Sequence, residues 1–287
     1  MKKKWENILI PVIFFIGLLV VCYPSVSNFW NQHLEKKLMD HYETVVQQLD
    51  EEDLTKEMEA ARAYNQAHQD NRVPDAFAEG EVKEDTEYES LLNVDQDGVM
   101  AILEIPCINV KLPVFHGTGD EALQKGAGHL IGSSLPVGGK GSHCVIAAHR
   151  GLPSAALFTD LNLVKKNDIF YIHVLGETLA YRVDQIRVVE PEETESLQVD
   201  KDKDYMTLVT CTPYGVNTQR LLVRGIRTEY IPDMQSENEK PRKSLATNYV
   251  LAAILSLLLV FVAAVLLLHK GKRKREKDLK KKQEYKK

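Results

Sequence analysis

The sequence predicts a mainly β central domain, folded as a closed barrel or a sandwich, with an apolar segment near each end of the chain. From Gly98 onward the chain falls into about eight short β-type runs separated by turn residues. Few of the intervening stretches have helical periodicity, and many short strands with few helices are typical of barrels and sandwiches. The two apolar segments are long enough to be considered as membrane spans.

Each predicted strand is a run rich in β-branched or aromatic residues that is bounded by turn-forming residues. The predicted strands are Met100–Ile105, Ile108–Val114, His129–Ile131, His143–His149, Ile169–Val174, Thr178–Val189, Tyr205–Cys211 and Arg220–Arg227. Short helices are predicted near Gly119–Lys125 and Ala155–Leu163.

The apolar run near the C-terminus, Tyr249–Leu268, contains no charged residue. At about 1.5 Å per residue it is long enough to cross a hydrocarbon core of about 30 Å. The block of Lys and Arg that follows it, 269–275, is expected to stay on the cytoplasmic side. A tail that binds nucleic acid is the weaker interpretation of these charges, because the block adjoins an apolar run.

The apolar run near the N-terminus, Ile8–Tyr23, follows the basic residues Lys2–Lys4. A cleaved signal peptide has the same pattern, but Ser25–Ser27 is only a loose match to a cleavage site. No charge occurs in residues 8–32, so an uncleaved signal-anchor is favoured. We therefore expect both termini to be cytoplasmic and residues of about 30–245 to face the exterior.

The net charge of −5 is unevenly distributed. Residues 24–248 carry −15 and residues 249–287 carry +8. Most of the acidity lies in residues 35–104, whose net charge is −14, and a solvated acidic surface is its simplest interpretation.

Helical periodicity precedes the β domain. The apolar positions that carry it are Leu34, Leu38, His41, Val45, Leu49, Leu54, Met58 and Ala61. They predict a membrane-proximal helix or helical hairpin with this stripe as its packing face. Residues 70–97 have no clear period and are predicted to be a loop or linker.

The candidate nucleophile is Cys211, at the end of a predicted strand. A turn follows, and Arg220 begins the next strand, so two antiparallel strands would bring the thiol and the guanidinium together. A nearby cation favours the reactive thiolate. Cys107 and Cys144 are predicted to be packing cysteines. Cys22 lies in the apolar run, which leaves an odd number of cysteines outside it. At least one of these is therefore expected to be unpaired or to pair with another chain.

A cysteine nucleophile also needs a partner that carries protons. His149 closes a predicted strand and is followed by a loop, which is a suitable position at a cleft.

These motifs resemble the sortases, exported cysteine transpeptidases of Gram-positive bacteria. The resemblance rests on AHRG and TLVTC and, at greater length, on LPVFHGT (112–118), GAGHLIGSSLPVGG (126–139), HRGLPSAALFTDL (149–161) and TCTPYGVNTQRLLVRG (210–225). These longer stretches resemble class C, the pilin-polymerising sortases, across residues of about 60–230.

The resemblance implies an eight-stranded β-barrel in which Cys211 attacks the Thr–Gly carbonyl of an LPxTG-like sorting signal. His149 would be the general acid and then the base, and Arg220 would bind the oxyanion or the substrate backbone. The acyl group would pass to a lysine amine of another pilin. No metal or organic cofactor is implied.

Class C sortases also carry a lid with an Asp-Pro-aromatic motif. Here the segment Val73–Phe77 supplies Asp75 and Phe77, with Ala76 where proline is usual. We expect a lid held by one ring and one exposed ion pair, and therefore easily opened, because alanine does not fix φ and exposed pairs contribute only about 0–1 kcal/mol.

The predicted organisation assigns a role to each segment of the chain. The segments are a cytoplasmic stub and signal-anchor (1–28), a membrane-proximal helical segment (29–72), a lid and acidic linker (73–97), the catalytic barrel (98–232), a linker (233–248), a transmembrane helix (249–268) and a basic cytoplasmic tail (269–287).

Three alternatives remain open. A sortase that anchors surface proteins to peptidoglycan would use the same chemistry with another acceptor amine. A cysteine protease would pass the acyl group to water. A pilus-assembly module on the same fold would have no catalysis at all.

Overall fold

A computed structural model describes residues 2–70, 73–77, 85–231 and 241–243, together with Ser256 and Phe261. The chain divides into two compact units, one formed by residues 1–26 and 244–287 and the other by residues 27–243.

The smaller unit contains most of the predicted membrane segments. Among the described residues, one helical segment, Val12–Gln48, is long and apolar enough to cross a membrane, as judged by length and composition. The predicted linker, second span and basic tail, 233–287, lie outside the described residues except for 241–243, Ser256 and Phe261.

The larger unit is built around a closed barrel with the strand order β1-β2-β3-β4-β7-β8-β6-β5. The strands are β1 Val99–Ile105, β2 Val110–His116, β3 Ala127–His129, β4 Ser142–Ala147, β5 Ile169–Val174, β6 Glu177–Val189, β7 Asp204–Thr212 and β8 Gln219–Thr228. The pairs β2–β3 and β4–β7 are parallel, and the remaining pairs are antiparallel. The predicted eight-stranded barrel is confirmed, and the sandwich is excluded.

Side chains alternate between the two faces of each strand, and those on the inner face fill the barrel. On β8, Leu221 and Val223 are buried in the main apolar core, whereas Arg220 and Arg224 point to the other face. Leu222, on the same outer face as the two arginines, is also buried, in a second apolar cluster that includes Val73. The outer face of β8 is therefore covered where residues 73–77 lie.

In the part of the chain that the structure describes, four α-helices accompany the barrel. They are α1 Lys2–Gln48, α2 Glu51–Ala67, α3 Thr86–Ser90 and α4 Asp120–Lys125. The helical structure predicted ahead of the barrel, as one helix or a hairpin, is present as α1 and α2, and the predicted helix near Gly119–Lys125 is present as α4. An aspartate caps the second helix: the Asp50 carboxylate accepts a hydrogen bond from the Asp53 amide at 2.8 Å.

Several local predictions were wrong. Ala155–Leu163 is not a helix but a loop that ends in the single 3₁₀ turn Leu161–Leu163. The third strand ends at His129 instead of beginning there, and β4 ends at Ala147, before His149. The predicted 70–97 linker contains α3, a helix too short to show a period.

The packing face of α1 is also displaced from the predicted stripe. Leu34 is 42% exposed and His41 is exposed, whereas the buried positions between Val12 and Gln48 are Glu35, Met39, Tyr42 and Val46. One residue turns a helix by about 100°, so the true face lies beside the predicted one and includes a carboxylate. On α2, Met58 and Ala61 are buried as predicted.

Candidate active site

Cys211 and Arg220 lie directly opposite each other on neighbouring strands. The antiparallel β7–β8 pair places their Cα atoms in register. Cys211 is near the end of β7, where Thr212-Pro213 turns the chain towards β8. The proximity predicted from the two strands and their short loop is therefore present.

His149 approaches the same strand end from β4. The parallel β4–β7 pair aligns Ala147 with Val209, and continuing this register by two residues reaches His149 and Cys211. The Thr210 hydroxyl donates a hydrogen bond of 2.7 Å to the Ala148 carbonyl, which holds the two strand ends together. His149 thus lies beside β7 although it is not itself part of a strand.

The loop that begins at His149 is held by hydrogen bonds at its base and at its tip. The Phe158 amide donates a 3.0 Å hydrogen bond to the His149 carbonyl at its base. From α1, the side-chain amide of Asn31 donates to the Ser154 carbonyl at 2.9 Å. The side-chain oxygen of Asn28 accepts from the Ala156 amide at 2.8 Å. The helix ahead of the barrel therefore fixes the loop that carries His149.

Residues 73–77 lie over the site. Val73 and Ala76 are buried against an outer-face cluster that includes Val145 and Val209. The ring of Phe77 lies 5.8 Å from that of His149, centroid to centroid. The segment is thus seated on the barrel, with Phe77 next to the candidate catalytic histidine.

Asp75 forms a bidentate ion pair with Arg220. Arg220 Nε donates to Asp75 Oδ1 at 2.8 Å and Nη2 to Oδ2 at 2.7 Å. The two side chains are only 11% and 15% exposed, and the Arg220 guanidinium lies 5.3 Å from the centre of the Phe77 ring. The expectation of an exposed ion pair was wrong, so the small contribution typical of such pairs does not apply.

The electrostatic environment favours the neutral thiol and the neutral imidazole. Burial raises the pKa of Cys211, Arg220 lowers it, and the carboxylate of Asp75 raises it again. Burial likewise lowers the pKa of His149 below its usual range, and the charge of Asp120 opposes this. The covered site therefore holds its thiol in the less nucleophilic form.

The other cysteines differ from Cys211 in their surroundings. Cys144 is 3% exposed, and burial raises the pKa of its thiol well above the usual value. Burial, with Asp168 nearby, raises the pKa of the half-buried Cys107 to about 12. All the cysteines are free. In the part of the chain that the structure describes, no group of three or more His, Cys, Asp or Glu side chains is arranged to hold a metal ion.

Sequence reasoning missed Arg150, which ties the His149 loop to the strand that carries the nucleophile. Arg150 Nη1 donates to the Thr212 hydroxyl at 3.1 Å, and Nε donates to the Thr159 carbonyl at 3.2 Å. Its position directly after His149 was the available signal.

Comparison with known proteins identifies the family. A family model described as the sortase domain matches residues 103–228. Sortase A of Listeria monocytogenes is 28% identical over 75% of this chain and 87% of its own length. Sortase A of Bacillus anthracis is 29% identical over 46% of this chain, and the match spans only 61% of that relative's length.

Solved structures are more similar. Sortase C-1 of Actinomyces oris is 45% identical with a TM-score of 0.59, over 62% of this chain and 99% of that one. Sortase C of Streptococcus pneumoniae is 44% identical with a TM-score of 0.63, over 68% and 97%. Because this identity extends over nearly the whole of those chains, the protein belongs to the sortase family, whose members are cysteine transpeptidases, and its strong structural matches include class C sortases.

Proposed function

We propose that this chain is a membrane-anchored class C sortase that joins pilin subunits by transpeptidation through Cys211. The observation that carries the proposal is the meeting of Cys211, Arg220 and His149 at one end of the β4–β7–β8 sheet. Among the cysteines of the barrel unit, Cys211 alone has a guanidinium opposite it and a histidine at the neighbouring strand end.

The first half of the reaction cleaves the sorting signal. Cys211 Sγ, as thiolate, attacks the Thr carbonyl carbon of an LPxTG-like segment, and the carbonyl electrons move to its oxygen. Arg220 donates hydrogen bonds to that oxyanion or to the adjacent substrate backbone. When the oxyanion collapses, the bond from carbon to the Gly nitrogen breaks, and protonated His149 gives its proton to the leaving amine. A thioester to Cys211 remains.

The second half transfers the acyl group. A lysine amine of another pilin subunit attacks the thioester carbon, and neutral His149 accepts the proton that the amine loses. The carbon–sulfur bond breaks, which releases Cys211 and leaves an isopeptide bond between two subunits. The electrons and protons balance without a metal or an organic cofactor.

In this proposal residues 73–77 act as a lid. Asp75 occupies the donors of Arg220 that the oxyanion needs, and Phe77 lies between the guanidinium and the imidazole. Displacement of the segment frees Arg220 and removes a carboxylate that disfavours the thiolate. Because Val73 and Ala76 are buried as well, opening the lid also exposes apolar surface, which makes it less readily opened than the sequence suggested.

The pilin substrate and the location are also parts of the proposal. The structure of Streptococcus pneumoniae sortase C is described as informative on pilin substrate specificity, and another similar structure is that of sortase C1 of a Streptococcus agalactiae pilus island. The apolar part of α1 supports attachment to the cell membrane. The barrel would face the exterior, with both termini in the cytoplasm.

The test uses the full-length chain in membranes with a pilin subunit that carries an LPxTG-like signal. Cys211→Ala should abolish both the covalent polymers and the acyl-enzyme seen by mass spectrometry, with the thermal unfolding temperature nearly unchanged. Cys107→Ala, the matched control, should retain both. Polymers formed by the Cys211→Ala enzyme would remove Cys211 from the mechanism.

A further inference from the structure

The side of α1 that faces the barrel changes character along its length. At its C-terminal end Met39, Tyr42 and Val46 pack against apolar side chains of β1 and β2. The Tyr42 hydroxyl both donates and accepts a hydrogen bond: it donates to the Met100 carbonyl at 3.2 Å and accepts from the Leu175 amide at 3.0 Å. Towards the N-terminus the same face becomes polar, with Asn28, Gln32 and Glu35.

Glu35 lines a cavity of about 440 Å³ between α1, the turn that joins β1 to β2, and the loop that begins at His149. Glu35 is 7% exposed. Part of the wall is apolar, from Met39, Leu112 and Leu157, and part is polar, from Gln32 and Glu104. The cavity is within the usual size range of ligand pockets, about 300–1,000 Å³.

The charged groups around the cavity are paired, with one exception. Glu104 is engaged by His173 at 3.0 Å, and Lys111 by Glu43 at 3.2 Å. Among the described residues, Glu35 has neither a hydrogen bond nor an ion pair. Most of the Glu35 residue is buried, and its side chain lines the cavity. A carboxylate with so little access to water and no partner is costly, and a neutral residue in its place would cost less. A cation bound in the cavity would supply the missing partner.

The cavity lies towards the end of the barrel that holds the candidate active site. β4 and β7 are parallel, and β3, β2 and β1 are related to β4 by the pairings of the sheet, so the β1–β2 turn is at the same end as Cys211. Ala156 and Leu157, on its rim, belong to the loop that begins at His149. β2 and β1 are three and four strands from β7 in the barrel, so the cavity and Cys211 share one end of the barrel without being adjacent. An extended polypeptide bound in the active site would reach the cavity with a side chain several residues away from the scissile bond.

We propose that this cavity binds the ammonium group of a lysine side chain on a substrate polypeptide, with Glu35 as its counter-ion. An ammonium has three donors, which suit the carboxylate of Glu35 and the nearby oxygens of Gln32 and Glu104. Its four-carbon stem matches the apolar wall of Met39, Leu112 and Leu157. A guanidinium would also pair bidentately with Glu35, but it has five donors to satisfy against three in an ammonium, and Glu104 is already engaged by His173.

The proposal deepens the proposed function, because it gives a substrate pilin a place to dock at the same end of the barrel as the candidate active site. The identity of that polypeptide rests on the proposed function, whereas ammonium binding at Glu35 does not. The two are separated by measuring binding in full-length Cys211→Ala protein, in which no acyl transfer takes place.

The experiment is a calorimetric titration of this protein, in a non-ionic detergent, with Nα-acetyl-lysine methylamide. Saturable binding is expected, with no binding of the norleucine analogue, which has the stem without the charge, and weaker binding of the arginine analogue. Glu35→Gln should weaken binding about tenfold or more, since it removes a charge-assisted hydrogen bond. Asp40→Asn, which removes an exposed carboxylate from the same helix, should leave the affinity unchanged.

Two further measurements keep the result interpretable. Glu35→Gln should unfold at the same temperature as the parent or higher, because it removes an unpaired buried carboxylate. Ala156→Phe fills the rim and leaves Glu35 in place, and it should also abolish binding. Equal affinity in Glu35→Gln, equal binding of the norleucine or arginine analogue, or an absence of binding in the parent protein would each overturn the proposal.

Discussion

Two ion pairs on the outer face of β8 have nearly the same chemistry and different architecture. Arg220 pairs with Asp75 at 2.8 and 2.7 Å, and Arg224 pairs with Asp184 at 3.1 and 2.7 Å. Each guanidinium also lies over an aromatic ring, at 5.3 Å for Arg220 over Phe77 and 4.1 Å for Arg224 over Tyr205. Both are bidentate pairs on the same strand, and their arginines are two pleat repeats apart.

The difference lies in where the carboxylates come from. Asp184 lies at an irregularity of β6, the strand that pairs with β8, and the paired residues on both sides of it, Val183 and Gln185, hold it in place. Asp75 lies on a segment outside the sheet, and its sequence separation from Arg220 is 145 residues, against 40 for the other pair. Release of Asp75 breaks no strand pairing, whereas release of Asp184 disturbs the barrel wall. The Arg224–Asp184 pair is therefore part of the barrel wall, whereas the Arg220–Asp75 pair joins the barrel to a segment that can separate from it.

The largest difference is expected when each arginine becomes lysine. Arg220→Lys should lower transpeptidation about 10²–10³-fold, because lysine keeps the charge but lacks the planar fork of donors for an oxyanion. Arg224→Lys makes the same change away from Cys211 and should retain most of the activity. The measurement is kcat/KM for formation of the pilin isopeptide bond by full-length enzyme. Near-normal turnover in Arg220→Lys would place Arg220 outside the mechanism.

The second comparison concerns the cover. Asp75→Ala combined with Phe77→Ala should speed modification of Cys211 by a thiol reagent about tenfold, since it removes a charged hydrogen-bonded pair and a ring contact. The double variant should also cleave isolated sorting peptides faster than the parent. Asp184→Ala is the matched control and should leave the labelling rate of Cys211 unchanged.

Equal labelling rates in the parent and the double variant would show that residues 73–77 do not restrict access to the thiol. Digestion and mass spectrometry assign the labelled residue, because Cys22, Cys107 and Cys144 are also free. Cys107 and Cys144 are expected to be labelled more slowly than Cys211, since burial raises the pKa of these two thiols more strongly.

The sequence predicts the site residues that lie on the sheet better than those that lie outside it. Arg220 opposite Cys211 follows from two β-type runs joined by a short turn, because antiparallel neighbours with a tight connection have little freedom of register. Asp75 was found only through a family resemblance, since no local pattern fixes where a segment outside the sheet will dock. Its burial with Arg220 depends on Val73 and Ala76 packing on the barrel, which is a tertiary effect.

The remaining errors have similar causes. The helix α3 is too short to have a period, and its one local signal is the Asp85 side chain that accepts from the Tyr88 amide at 3.0 Å. The buried face of α1 includes Glu35, which a hydrophobic pattern cannot select. The loop after His149 has helix-compatible residues, but its backbone is held by side chains of α1 and by Arg150 instead of by helical hydrogen bonds.

The smallest expected effect separates charge from coverage. The carboxylate of Asp75 raises the pKa of Cys211, while Arg220 lowers it. Asp75→Asn removes the negative charge with little change of shape, so the pKa of Cys211 should fall and the thiolate should form at lower pH. The measurement is the rate of Cys211 alkylation as a function of pH. The midpoint of the profile should move to lower pH in Asp75→Asn and stay in place in Asp184→Asn.

A cover that opens more often would instead raise the plateau of the alkylation rate at high pH. Access to Cys211 changes how fast the thiolate reacts, but it does not change the pH at which the thiolate forms. A raised plateau with an unchanged midpoint would therefore show that Asp75 acts on Cys211 only as a cover, and not through its charge.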